Sequence, residues 1–246
     1  MATKTAAIKT GMVLAAGFGK RMRPITETIP KPLVKVLGAP MLESIIAKLR
    51  AAGIHKIVVN GFYLKDQIQS FVESYDDPMV VFSEEHEILE TGGGVTQALS
   101  LLGHDPFVVV NGDVCWLDGT EAAIKRLMNT WNSNTMDILL LVHPKSKAYG
   151  YEGAGDFFLQ NDQKLSRRGE ATSAPYVYAG IQILHPNLFS DAPEGAFSLN
   201  EIFDKALASD RLYGLEHDGE WFHVGTPEGL REVEGLLQSM LPAASK

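Results

Sequence analysis

"MVLAAGFGKRMRPITETIPKPL", residues 12–33, starts as a short apolar run and turns at once into glycines, bases and prolines. Met12–Ala16 reads as a buried strand. Beyond it, Gly17 and Gly19 allow positive φ and close approach of the backbone, and successive amides in such a turn form an anion-binding concavity. Lys20, Arg21 and Arg23 add charge. Pro30 and Pro32 set Lys31 in an extended segment, so that its ammonium can point inward at small entropic cost. A strand ending in such a loop suits a parallel sheet, whose ligands lie beyond the carboxyl ends of the strands. Two familiar phosphate motifs do not apply: "GFGKRM" lacks the third glycine of GxGxxG, and Lys20-Arg21 lacks the ending of a P-loop.

Outward from this stretch, apolar runs and helical patterns alternate, the signature of a sheet with crossover helices. Strands are expected at 12–16, 56–60, 79–83, 106–113 and 136–142, and helices near 41–53, 64–74, 93–101 and 119–132. Leu42, Ile45, Ile46 and Leu49 recur at helical spacing. The pattern predicts an α/β three-layer sandwich with a mostly parallel central sheet. From about 150 to 185 shorter pieces rich in Gly and Tyr suggest an insertion closing over the sheet's edge, with "YVYAGIQIL" a further strand. Trp221–Val224 reads as another strand end, followed by Thr226 as N-cap, Pro227 as first helical residue and a helix over 227–240. The first ten residues are expected to be a flexible tail.

With 246 residues and 45% hydrophobic content, one sizeable domain is expected. Its division is a nucleotide-binding part over about 11–145 and a sugar-binding part with the last helix over about 146–240. Thirty acidic against 22 basic residues give a formal charge of -8, which disfavours a broad nucleic-acid surface while leaving room for a local basic pocket. The lone Cys115 excludes internal disulfides and multi-cysteine zinc sites and suits a reducing cytoplasm. No apolar run approaches the ~20 residues of a membrane span. A monomer or small homo-oligomer is expected.

In "VVVNGDVCW", Asp113 follows the apolar run at a strand's carboxyl end, where a carboxylate can hold a divalent cation against phosphate oxygens; an isolated NGD is more often a turn. Together the motifs carry a resemblance. "LAAGFGKRMRPITETIPKPL" resembles the signature of the sugar-1-phosphate nucleotidylyltransferases, and "EILETGGGV" (87–95), "VNGD" (110–113) and "HVGTPEGL" (223–230) follow in the family's order. The likeness covers nearly the whole chain. It is nearest to the short forms without a β-helix, the N-acetylmuramate-1-phosphate uridylyltransferases and mannose-1-phosphate guanylyltransferases.

The resemblance implies a Rossmann-like fold of the nucleotide-diphospho-sugar transferase type with a small sugar-binding insertion, and transfer of a nucleoside monophosphate from a triphosphate to a sugar-1-phosphate. A sugar-1-phosphate, with a second pKa of about 6, is largely dianionic at neutral pH and needs no protein base. Catalysis then consists of positioning and neutralising spread charge. By resemblance, Leu14, Ala15, Ala16, Gly17, Phe18, Gly19 and Lys20 form the nucleotide loop. Arg21 would hold the triphosphate, Lys31 the reacting phosphates, and Asp113 a Mg2+ ion, with Mn2+ possible. Asn111, Gly155, Asp156, Tyr178 and Gly180 match positions lining the acceptor pocket.

The sequence departs from the pattern at His223, where many members carry a second metal-binding aspartate. His223 could bind a softer metal, could contact phosphate, or could leave the ion to Asp113, phosphates and water; the last is ranked first. Glu85, six residues before Thr91, matches a position near the base by resemblance, with Gly92 and Gly93 allowing close approach. A carboxylate can accept both the N1–H and N2–H2 donors of guanine, which favours GTP. The "LETGGG" run resembles the uridylyltransferase branch and puts UTP with N-acetylmuramate-1-phosphate ahead of GTP with mannose-1-phosphate. A non-catalytic nucleotide-sugar sensor is the alternative of another class, and the joint presence of Arg21, Lys31 and Asp113 argues against it.

Overall fold

The computed structural model describes residues 8–75 and 77–240. Of the expected flexible tail, residues 1–7 lie outside the described residues. The rest of it is packed: Ile8 is buried, and the Lys9 carbonyl accepts the His55 and Lys56 amides.

Strand β1 (Thr10–Leu14) leads through the glycine loop to the short pair β2 (Lys35–Val36) and β3 (Ala39–Pro40) and to helix α1 (Met41–Ala51). There follow β4 (Lys56–Gly61), α2 (Lys65–Glu73), β5 (Val80–Glu84), α3 (Glu90–Leu102), β6 (Phe107–Asn111), β7 (Val114–Leu117) and α4 (Ala123–Thr130). The second half runs β8 (Ile138–Pro144), β9 (Phe157–Leu159), β10 (Leu165–Arg167), β11 (Tyr176–Leu184), α5 (Leu199–Ala208), β12 (Leu212–Glu216), β13 (Glu220–His223) and α6 (Pro227–Met240). Among the described residues no helix is long and apolar enough to cross a membrane.

β5, β4, β1 and β6 form a parallel block, with Met12 opposite both Val58 and Val109. β8 and β12 form a second parallel pair. β11 lies between the blocks, antiparallel to both β6 and β8. This corrects the view of 150–185 as an insertion over an edge: only the β9–β10 hairpin is peripheral, joined through Tyr176 opposite Phe157. Buried along nearly its whole length, β11 needs neighbours on both sides, and an apolar run does not say which strands those are.

Trp221–His223 is likewise not a strand of the main sheet. β13 pairs with β7 in a separate antiparallel ribbon, with His223 opposite Val114, so the ribbon carries His223 to the neighbourhood of Asp113. α6 then starts as its sequence indicates, the Thr226 hydroxyl accepting the Gly229 amide at 3.1 Å.

Helix α1 buries Met41, Leu42, Ile45, Ile46 and Leu49, the expected stripe, each large side chain contributing roughly 1.5–3 kcal/mol. One face of the sheet is covered by α1, α2 and α4 with Trp116, Trp131 and Trp221, and the other by α3 and α5. A third cluster ties α6, through Val233 and Leu237, to Phe222 and Val224 and to Met22 and Val34, which flank the glycine loop.

Candidate active site

β1 ends at Leu14, two residues earlier than expected, and Ala15 and Ala16 already belong to the loop. The Leu14 carbonyl accepts the Gly112 amide at 2.8 Å, drawing the end of β6 against the end of β1. A Cβ on Gly112 would lie 2.6 Å from that carbonyl oxygen and 3.0 Å from Pro32 Cγ, so glycine is required there. Asp113 therefore emerges beside the Pro-Lys-Pro segment, and Lys31 Nζ donates to its Oδ2 at 2.6 Å. The Lys31 side chain is 9% exposed and that of Asp113 39%. At the loop's turn, Gly19 has φ 60°, and its carbonyl accepts the Met22 amide and the Thr26 hydroxyl, both at 2.8 Å.

These elements surround a cavity of about 540 Å³. Of the residues singled out from sequence, Leu14, Ala15, Ala16, Gly17, Gly19, Lys20, Arg21, Lys31, Thr91, Asn111 and Asp113 line it. Phe18 instead packs on Phe62 and Tyr63, with the Lys20 ammonium over its ring. Pro32, Ile88, Glu90, Gly112 and Gly225, from the quoted motifs, also line the cavity, as do Asn60 and Ser198, which lie outside them and were missed. Asn60 is the next-to-last residue of β4, so the rule that directed attention to Asp113 applied equally to it. Ser198 approaches from the start of α5 and has no local signal.

Of the "EILETGGGV" stretch, Ile88, Glu90 and Thr91 reach the wall, whereas Gly92 and Gly93 do not. α3 starts at Glu90, and its glycines lie inside the first turns, each against a different neighbour. A Cβ on Gly92 would lie 2.3 Å from the Phe197 ring, and one on Gly93 2.3 Å from the Gly195 carbonyl oxygen. Their amides donate to the Phe197 carbonyl, and the Thr91 hydroxyl accepts the Leu199 amide. The run serves close packing against the segment before α5. Glu85 is buried behind the wall, 1% exposed, and burial raises its carboxyl above the ordinary range against the opposing donors of Asn60 and Leu89.

The acceptor candidates divide. Asn111 is on the wall, and Gly180, at φ 77° in a bulge of β11, packs beside it. Gly155 and Asp156 have structural partners: a Cβ on Gly155 would lie 2.1 Å from the Ala174 oxygen, and Asp156 accepts the Tyr178 amide at 2.9 Å. The Tyr178 ring meets Phe203 edge-on, and its buried hydroxyl has no partner among the described residues. Burial, reinforced by the Asp113 charge, pushes that hydroxyl's pKa up.

His223 Nε2 lies 3.4 Å from Arg21 Nη1, and since guanidinium only donates, the imidazole accepts. Burial first, then the Arg21 and Lys31 charges, hold its pKa below the usual histidine value, with Asp113 opposing. The ring is flanked by Trp221 and Tyr151, and a Cβ on Gly225 would lie 2.5 Å from Nε2. Among the described residues, no group of three or more His, Cys, Asp or Glu could hold a metal ion alone. A single carboxylate suits a hard cation that completes its shell from phosphate and water, and does not suit a softer metal shared with His223, whose Nε2 faces Arg21.

A glycine turn, three cations and one carboxylate at adjoining strand ends can hold a polyphosphate and neutralise charge spread over it. A profile of the family described as nucleotidyl transferase matches residues 10–239. The chain belongs to that family. This nucleotidyl transferase is 36% identical over 234 residues to the N-acetylmuramate alpha-1-phosphate uridylyltransferase of Caulobacter vibrioides, covering 93% of this chain and 97% of the relative. It is 33% identical to the Neisseria meningitidis serogroup B enzyme of the same name, over 92% and 96% of the two chains. The mannose-1-phosphate guanyltransferase of Hypocrea jecorina is 28% identical, with 94% of this chain matching 65% of that one. The fold of the nucleotidyl transferase is that of a UDP-glucose pyrophosphorylase solved with UDP-glucose, at TM-score 0.80 and 16% identity over 95% of this chain and all of the other.

Proposed function

We propose that this enzyme transfers uridylyl from UTP to N-acetylmuramate-1-phosphate, releasing pyrophosphate, in the cytoplasm. Support for the substrates comes from the two uridylyltransferase relatives, which match along almost their whole length. The observation that carries the chemistry is the convergence of the Gly17–Arg21 loop, Lys31 and Asp113 on one cavity. The rival reading, GTP with mannose-1-phosphate, rested on a carboxylate facing the base, and the Glu85 carboxylate lies behind the wall.

In this reading the loop amides and Arg21 hold the triphosphate, with His223 acting as a neutral acceptor that orients the guanidinium. Lys31 leaves Asp113 for the phosphates as they enter, since an ammonium pairs with either anion. The acceptor phosphate oxygen bonds to the α-phosphorus in line as the bond to the β-phosphate oxygen breaks, and the electron pair leaves on pyrophosphate. Asp113, with substrate phosphates and water, would hold Mg2+, which when bound supplies further neutralisation of phosphate charge. Asn111 and the β11 bulge border the acceptor sugar.

The test is incubation with each nucleoside triphosphate and a panel of sugar-1-phosphates in magnesium buffer while pyrophosphate is followed. UTP with N-acetylmuramate-1-phosphate is expected to be the best pair. Faster release from GTP with mannose-1-phosphate would overturn the substrate assignment, and no release from any pair would overturn the activity.

A further inference from the structure

Asn60 and Glu85, 2% and 1% exposed, form a buried polar pair behind the cavity wall. The Ala15 amide, the first of the glycine loop after β1, donates to Asn60 Oδ1 at 2.7 Å. A backbone N–H can only donate, so the asparagine must turn its carbonyl to the loop and its NH2 away. That NH2 meets Glu85 Oε1 at 2.5 Å, and the other carboxylate oxygen accepts the Leu89 amide at 3.3 Å. The Glu85 amide itself donates to the Gly61 carbonyl at 2.9 Å, fixing the glutamate beside the end of β4. A Cβ on Gly94 would lie 2.7 Å from Glu85 Oε1 and 2.8 Å from Asn60 Nδ2, so the third glycine of the run makes room for the pair.

We propose that Glu85 is a positioning residue: it locks the orientation of Asn60, which in turn fixes the first amide of the nucleotide loop, and it does not read the base. This rests on the cavity being the nucleotide site. Guanine would need both carboxylate oxygens turned to its two donors, and those of Glu85 are turned instead to Asn60 and Leu89, with the residue only 1% exposed. Asn60 reaches the wall and Glu85 does not. Without Glu85 the asparagine could flip, presenting NH2 to the Ala15 amide and leaving two buried donors facing each other.

Because every bond in this line has a defined direction, exchanging the two polarities tests it. Glu85→Gln keeps the shape but has one carbonyl for two donors, and Asn60→Asp sets carboxylate against carboxylate. In the double variant the new carboxylate at 60 can accept both the Ala15 amide and the amide introduced at 85, whose carbonyl then accepts the Leu89 N–H. Hydrogen exchange at the Ala15 amide in the free protein and calorimetric UTP and GTP binding are the readouts. Each single variant is expected to speed Ala15 exchange and weaken both nucleotides by the same factor, about tenfold, and the double variant to recover most of both. If Asn60→Asp alone does not fold, folding of the double variant is itself the rescue. A double variant no better than the worse single overturns the proposal. So does a Glu85→Gln protein whose UTP-to-GTP preference shifts while Ala15 exchange is unchanged. If the unaltered protein binds no nucleoside triphosphate, the cavity reading falls, and Ala15 exchange across the four proteins still decides the link from Glu85.

Discussion

The two members of the Lys31–Asp113 ion pair are unequally exposed, and that asymmetry separates catalysis from stability. Lys31→Ala removes a buried cation and leaves a carboxylate that water can reach. Turnover is expected to fall by about 10²–10³ with little change in the melting temperature. Asp113→Ala leaves a buried ammonium unpaired. It is expected to abolish magnesium-dependent pyrophosphate release and also to cost about 1–2 kcal/mol, less than for a fully buried pair because solvent screens the carboxylate. Steady-state kinetics with denaturant melts check both. Near-normal turnover of a folded Lys31→Ala protein would remove the role given to Lys31.

At the scale of elements, the glycine run of α3 reverses an ordinary helix rule. Gly→Ala inside a helix is usually worth up to about 1 kcal/mol of stabilisation. At Gly93 the added methyl would meet a backbone carbonyl that cannot rotate away, and overpacking of about 1–3 kcal/mol is expected to win. A Gly93→Ala protein that melts higher than its parent would show that α3 and the 195–199 segment do not pack as described.

The ribbon of β7 and β13 lies over a second element-scale feature. His143 and His217, near the ends of β8 and β12, have rings 5.7 Å apart, and His143 also meets Trp221. Among the described residues His217 Nδ1 has no partner, and His143 approaches the Lys147 backbone, which opposes the effect of its burial. Burial holds both pKa values below the reference of about 6.5. The unfolded chain therefore binds protons first, so stability present above about pH 6.5 is lost as pH falls below it. Melting temperatures measured from about pH 7.5 to about 5 should fall, and His143→Phe should flatten the decline. An equal slope in both proteins would place the pH dependence elsewhere.

At the scale of the whole molecule, β11 decides cooperativity. Within the single expected domain, divided near residue 145 into nucleotide and sugar parts, β11, from the second part, is hydrogen-bonded to β6 and β8, from the first. Clusters on both faces of the sheet contain residues from both parts. The chain is expected to unfold in one calorimetric transition, with a fragment of 11–145 unable to fold alone. Two separable transitions would restore the division.

Much of this molecule was determined locally and could be read directly. The stripe of α1, the cap of α6, the parallel strands of the first half and the glycine loop depend on neighbours within a few positions, where periodicity and turn chemistry act. The placement of Asp113 followed from the rule that ligands gather at strand ends, whereas Lys31, expected in an extended segment between its prolines, lies in a 3-10 turn over Lys31–Leu33. What the tertiary structure alone decided concerns partners distant in the chain. Glu85 faces Asn60, Gly92 and Gly93 face the 195–199 segment, His223 faces Arg21, and β11 lies inside the sheet. Residue type limits what a side chain can bond to, but the direction in which it points is set by the pairing of strands and packing of helices, which no local pattern encodes.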